Sequence, residues 1–433
     1  MGRHIRRSTH PEIIRAACCG RHANWHVNNL KANEMTIEAG NVTKGVTTND
    51  KPRRLRLGMV GGGEGAFIGA VHRIALRLDD HYELVAGALS ADAARSHRSG
   101  AALGLDPHRV YASYQDMAQA EHQRPDPIDA VVIVTPNHMH APVAEVFLRA
   151  GFHVICDKPL TTTLAQAVAL RDLARTCGRV FCVTHNYTGY PLMRHAREMV
   201  ATGVLGDIRL VQVEYPQEWL AEPIEQTGQK QAEWRTDPAR SGAGGCLGDI
   251  GTHAYNLADF VTGLKLDQLC AELTTFVPGR RLDDNVNMLL RYQGGARGML
   301  WASQVAPGHE NGLRLRVYGT LGGVEWVQAE PNVLIHSPLN ESRRLITRGS
   351  TAACAAAARV TRIPSGHPEG YLEGFANIYT EAALAIRAVN AGRPIPAEVH
   401  FPTMDDGVKG MAFIEAAVKS SAAGAVWVTP DFV

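Results

Sequence analysis

Three side chains able to handle a proton stand at two places in this chain. Lys158 lies in Val154-Ile155-Cys156-Asp157-Lys158-Pro159-Leu160, where an apolar run ends in a charged pair followed by proline. Asp249 and His253 stand four apart in Gly248-Asp249-Ile250-Gly251-Thr252-His253, which on a helix puts them on one face. A hydride leaving a carbinol carbon requires that the hydroxyl proton leave as well. A histidine takes that proton near neutral pH. A lysine steadies the developing alkoxide, or relays the proton when its surroundings lower its pKa. Asp249 would orient His253 or bind a substrate hydroxyl. Each residue alone has a plainer reading, as a solvated surface charge or a capping pair. A zinc site from Asp249, His253 and one of His138 or His140 is a weaker alternative, and no metal is expected.

These residues need elements to hold them. From residue 55 onward, apolar runs (LRLGMVGGG, YELVAGALS, IDAVVIVTP, FHVICDKPL, RVFCVTHNY) alternate with helical patterns of 10 to 15 residues. Such alternation predicts parallel strands joined by helical crossovers, with both sheet faces covered. Ligands of a doubly wound sheet sit beyond the C-terminal strand ends, where Lys158 falls. Pro159 fixes φ and removes a donor, so the lysine's root is held stiffly. The third strand ends Thr135-Pro136-Asn137, with His138 and His140 opening the next helix. Beyond about residue 190, six strand-like runs with few helices predict a largely antiparallel sheet and an α+β second domain. The organisation expected is thus a leader at 1–54, a nucleotide domain at 55–185 and a substrate domain with closing helices at 186–433.

Gly61 and Gly63 follow the first strand directly and precede its helix. Glycine there lets the backbone turn and approach a pyrophosphate resting on the helix N-terminus. The third glycine of a G-x-G-x-x-G falls on Ala66, or on Gly69 if the loop carries three extra residues. In the second case Phe67 and Ile68 would supply phosphate contacts. The second strand ends Ala88-Leu89-Ser90, with Asp92 and Arg95 following. Ser90 and Arg95 suit a 2′-phosphate and Asp92 a free 2′-hydroxyl, so the pattern leans to NADP with NAD as the alternative.

Forty-four basic residues against 43 acidic ones leave a formal charge of +1, which argues against a nucleic-acid footprint. No apolar run is long enough to span a bilayer. The eight cysteines form no Cys-x-x-Cys pair, and reduced thiols in a cytoplasmic protein are expected. The basic opening residues lack an apolar core and cleavage site, so a secretory signal is not expected; Met35 is an alternative start. Loop residues Asn186, Tyr187, Trp234 and Arg235 are candidates for substrate hydrogen bonds. Tyr187, Tyr190 and Trp219 are candidates for a sugar-stacking wall.

The ordered set GMVGGG…VHR, TPNHMHA, ICDKP and GDIGTH resembles the Gfo/Idh/MocA oxidoreductases, from about residue 55 to the C-terminus. The resemblance implies an N-terminal Rossmann domain, and an α/β domain whose open sheet often makes a homo-oligomer contact. It implies that Lys158 contacts the reacting hydroxyl, that His253 exchanges its proton and that Asp249 completes the set. Pro136, Asn137 and His140 match the family's segment beside the nicotinamide ribose, with Thr135, Asp157 and Lys158 adjoining. Asp157 replaces the family's usual glutamate and is one methylene shorter. The implied activity is hydride transfer between a nicotinamide cofactor and a sugar, inositol or related polyol. Two alternatives carried with the resemblance are a glycosidase that oxidises its sugar transiently and a non-catalytic dinucleotide sensor.

Overall fold

Burial on both faces dictates the first sheet. β1 (Leu55–Gly61), β2 (Tyr82–Ala88), β3 (Ala130–Val134), β4 (His153–Cys156) and β5 (Phe181–Val183) run parallel in the order β2-β1-β3-β4-β5. All residues of β3 are buried, as helices on both sides require. The crossovers are α1 (Phe67–Leu78), α2 (Ala93–Ala102), α3 (Tyr114–Gln123), α4 (His140–Arg149) and α5 (Leu164–Cys177). The sequence reading missed α3, whose only buried apolar residues are Met117 and Ala118. Its N-terminus is marked by Ser113, whose hydroxyl accepts from the Asp116 N–H.

The computed structural model describes residues 52–432. The leader reading and the alternative start at Met35 fall almost wholly outside these residues. Within them, Arg53 already donates to both carboxylate oxygens of Asp129 at 2.7 Å.

Register decides where the loops open. Gly61 pairs with Val134, and Ile133 with Cys156, so β1, β3 and β4 finish at one edge. The strand order reverses between β1 and β3, leaving a crevice at that edge. Gly61 has φ +80°, and a Cβ there would lie 2.7 Å from the Val134 carbonyl oxygen. Gly69 resolves the irregular spacing. A Cβ on it would sit 2.5 Å from both the Cα and the carbonyl oxygen of Gly62, so this glycine, not Ala66, lets the helix close on the loop.

After β5 the chain continues through α6 (Pro191–Ala201), β6 (Ile208–Pro216), α7 (Lys230–Arg235), α8 (Pro238–Ser241) and α9 (Thr252–Thr262). Seven strands follow: β7 (Leu266–Thr274), β8 (Asn285–Tyr292), β9 (Arg297–Ser303), β10 (Arg314–Gly319), β11 (Gly322–Val327), β12 (Val333–Pro338) and β13 (Arg344–Thr347). With β6 they form an eight-stranded sheet, β13-β12-β11-β10-β6-β9-β8-β7. All neighbours are antiparallel except β6 and β9. Two strands, β12 and β13, are additional to the six runs expected. Both are short, and β13 has no buried residue to mark it.

Three helices close the chain: α10 (Ala355–Ala358), α11 (Tyr371–Asn390) and α12 (Met404–Ala422). α11 returns to the first sheet, where Phe375, Tyr379 and Ile386 join one apolar core with Leu57, Met59 and Val71. Arg194 on α6 pairs with Glu381 on α11 at 2.7 Å, both buried. Among the described residues no helix is long and apolar enough to cross a membrane.

Because Gly69 touches backbone rather than a movable side chain, Gly69→Ala should be costly. Overpacking of this kind typically costs about 1–3 kcal/mol, and a lower midpoint in chemical unfolding should report it.

Candidate active site

The end of β4 carries Lys158 to the crevice, and the Lys158–Pro159 peptide is cis. Its ammonium donates to Asp249 twice, to the backbone carbonyl at 2.5 Å and to Oδ1 at 3.0 Å. Asp249 comes from the other half of the chain, on a π-helical turn (Leu247–Gly251) that leads into α9. Its second oxygen accepts from Gln304 Nε2 at 2.9 Å and lies 3.2 Å from Arg235 Nε. Burial would raise this carboxyl, but Lys158 and Arg235 outweigh it and hold Asp249 well below the usual carboxylate range. The carboxylate therefore stays charged and fixes the ammonium.

His253 is turned differently from the expectation of a shared face with Asp249. No hydrogen bond joins the two. The wide π turn separates them: Asp249 meets Lys158, while His253 packs edge-on against Tyr187 at 4.9 Å and His185 at 5.6 Å between ring centroids. Its Nδ1 is buried without a partner. Burial first, then the Lys158 charge and the neighbouring His185, push its pKa well below the ordinary value; Asp249 and Asp157 oppose this. The imidazole is therefore neutral at neutral pH, and the burial that keeps it so also lowers its basicity.

Asp157, beside Lys158, accepts from Thr184 Oγ1 at 2.7 Å, so the shorter carboxylate still finds a donor. Behind it, His72 Nε2 lies 3.8 Å from Oδ1, and its Nδ1 is 2.7 Å from the Tyr379 hydroxyl. Burial would raise Asp157, yet His72, Lys158 and Thr184 together hold it well below its ordinary pKa.

Two cavities meet at Lys158, Asp157 and Asp249. The first, about 560 Å³, runs along the strand ends past Gly61, Gly63, Ser90, Arg95 and Thr135. The second, about 680 Å³, lies over the eight-stranded sheet and is bounded by Asn186, Tyr187, Trp219, Arg235 and His253. The first cavity fits a dinucleotide. Its glycine loop leaves open backbone at the start of α1, and Thr135 Oγ1 is buried on its wall without a partner. Among the described residues no group of three or more His, Cys, Asp or Glu side chains is placed to hold a metal.

Several residues expected at these cavities sit elsewhere. His140 is fully buried and does not line the nucleotide cavity; its Nδ1 is 2.8 Å from the Pro159 carbonyl and its Nε2 3.0 Å from that of Thr135. It braces the two strand-end loops instead. Asn137 borders the cavity, but its amide donates to the Ser241 carbonyl at 2.9 Å. Ile68 borders both cavities, whereas Phe67 faces only the second. Trp234 faces only the nucleotide cavity, beneath the Arg235 guanidinium at 4.2 Å from its ring centroid. Tyr190 lines neither and is buried against Trp326. Asp92 caps α2 by accepting from the Arg95 N–H at 2.6 Å. Residues that sequence reading did not single out include Tyr215, Gln217, Asn311 and Gln328 on the second cavity.

A dinucleotide cleft opening on a carboxylate-held lysine defines an NAD-binding oxidoreductase. Comparison with known proteins agrees. Residues 55–185 match the model of an oxidoreductase family with NAD-binding Rossmann fold, and residues 193–325 that of the GFO/IDH/MocA C-terminal domain. The chain belongs to the Gfo/Idh/MocA family. An oxidoreductase from Sinorhizobium meliloti, of known crystal structure, is 55% identical, with a TM-score of 0.80 over 87% of this chain and 100% of that one. An inositol dehydrogenase homologue from Azotobacter vinelandii, solved with NAD+, is 36% identical, with a TM-score of 0.85 over 87% of this chain and 97% of that one. The same homologue has been solved with NADH and myo-inositol. The uncharacterised oxidoreductase YfiI of Bacillus subtilis is 36% identical over 378 residues, 86% of this chain and 96% of its own.

Burial leaves its mark on acid stability. His185, beside His253, is held at about 3 against an ordinary 6.5, by burial and then by Lys158. It stays neutral when folded but gains a proton when unfolded, so stability is full above pH 6.5 and falls as pH drops from there toward about 3. His185→Leu should flatten that acid-side decline, read as Tm against pH.

Proposed function

We propose that the protein transfers a hydride between a nicotinamide dinucleotide and a hydroxyl-bearing carbon of a sugar, inositol or related polyol. The observation that carries this reading is Lys158, held by both the carboxylate and the carbonyl of Asp249 where the two cavities meet. The complex of the Azotobacter vinelandii homologue with NADH and myo-inositol supports it.

When bound, the nicotinamide supplies the hydride acceptor. The protein's own residues handle the rest. Lys158 donates to the substrate oxygen and stabilises charge as it develops there. Asp249 keeps the ammonium aimed, with Gln304 and Arg235 fixing the carboxylate from the other side. Neutral His253 accepts the hydroxyl proton. The surrounding Tyr187, Tyr215 and His185, each under 4% exposed, exclude water and strengthen these interactions.

At the adenosine end, Ser90 and Arg95 border the cavity, and Asp92 is engaged in capping α2. This favours acceptance of the 2′-phosphate of NADP. The open face of the large sheet, where Leu289 and Met299 are 50% and 53% exposed, suits association of copies of this chain.

Two substitutions test these assignments. Lys158→Ala should lower turnover by about a hundredfold to ten-thousandfold, with NADH binding retained in a fluorescence titration. Undiminished turnover would remove Lys158 from the chemistry. Arg95→Ala should cut kcat/KM with NADP by about tenfold or more and leave that with NAD nearly unchanged, as expected for loss of one phosphate contact.

A further inference from the structure

The second cavity is walled on one side by a cluster built around Asn311. Its Oδ1 accepts from Tyr215 Oη at 2.7 Å and from Gln217 Nε2 at 2.8 Å. Its Nδ2 donates to Gln328 Oε1 at 3.0 Å and lies 3.4 Å from Tyr187 Oη. The two tyrosine hydroxyls are 2.5 Å apart. These bonds use both lone pairs and both N–H groups of Asn311. Asn311 is therefore a positioning residue, and it fixes which way two neighbouring amides face. Gln217 is left with its carbonyl oxygen, an acceptor, and Gln328 with its amide nitrogen, a donor of two N–H groups that also faces the Tyr190 hydroxyl; both residues line the cavity. Asn186 adds a donor: it is 1% exposed, lines the same cavity, and its Nδ2 has no partner.

The charges lining this cavity are unfavourable to an anion. Its two cations, Lys158 and Arg235, both face Asp249, and Asp157 and Glu310 add two more carboxylates. His253 contributes no positive charge at neutral pH. A bound phosphate or carboxylate would meet no uncompensated cation.

We infer that the Asn311 wall is a recognition subsite for adjacent hydroxyls of an uncharged polyol ring, one hydroxyl donating to Gln217 and its neighbour accepting from Gln328. This rests on the dehydrogenase reading and narrows it: neutral sugars and cyclitols are substrates, and sugar phosphates and sugar acids are not. A hydroxyl pair is matched by a fixed acceptor and donor at little ordering cost, whereas an anion loses its hydration shell without recompense.

The test measures kcat/KM for myo-inositol and D-glucose beside D-glucose 6-phosphate and D-glucuronate, with wild type, Asn311→Ala and Gln217→Leu. Neutral substrates should exceed their anionic counterparts by about a hundredfold or more, and each variant should raise KM about ten- to a hundredfold while kcat moves less. Equal use of the anions, or an unchanged KM in both variants, overturns the subsite and leaves the dehydrogenase reading standing. Should Asn311→Ala fail to fold, Gln217→Leu decides alone. If no polyol is turned over, the dehydrogenase reading fails, and calorimetry on the NADH-loaded protein still decides the subsite. Neutral ligand bound by wild type and weakened in the variants sustains it; absent neutral binding, or preferred anion binding, overturns it.

Discussion

An ammonium on the rim of a parallel sheet, held by a carboxylate from a distant segment, is the contact on which the site depends. Lys158 comes from the end of β4 and Asp249 from the turn before α9, 91 positions further along the chain. Neither is well placed alone. A lysine on a four-carbon stem samples many rotamers, and a buried carboxylate without a partner would be driven toward its neutral form. Together they fix each other. Because the ion pair is largely shielded, with 13% and 14% of its side chains exposed, salt screens it little. The two cavities meet where the pair sits, so the same interaction aligns the nucleotide cleft with the space over the second sheet.

Beside that charge pair the protein packs buried aromatic rings. Tyr187, Tyr215, His185 and His253 form a packed aromatic group in which both imidazoles are pushed toward neutrality. A neutral imidazole keeps its lone pair available; the Lys158 charge opposes its protonation, and the Asp249 and Asp157 carboxylates favour it. The cost is a set of buried histidines that disfavour the folded state in acid. On the cofactor side, backbone does the equivalent work. Gly61 and Gly69 remove side chains where the loop passes Val134 and where α1 passes Gly62.

How much of this could be read from the sequence varies with the physics involved. Strands buried on both faces and crossover helices have strong apolar signals, so β1 to β5 were legible, as was Lys158 at a strand end. The glycine loop was legible in kind but not in register, because only the close approach of Gly69 to Gly62 distinguishes it from Ala66. His140 was placed by motif beside the cofactor, yet its ring bonds the Pro159 and Thr135 carbonyls, a choice set by packing. Phe67 opens α1 and Trp234 lies in α7, and each faces the cavity opposite to the one expected, because sequence does not fix the direction of a side chain. Of the Asn311 cluster only Tyr187 gave a signal. Its members come from separate segments between residues 187 and 328, and amides and tyrosines at irregular spacing look like ordinary loop and strand residues.

The central claim is that Lys158, Asp249 and His253 serve a hydride transfer from a carbinol carbon. It is tested most directly by turning over myo-inositol deuterated at every ring carbon with oxidised cofactor, and locating the label by NMR. The account predicts one deuterium at C4 of the reduced nicotinamide and a slower rate than with unlabelled substrate. Deuterium released to water, or product formed with no label on the cofactor, would contradict it.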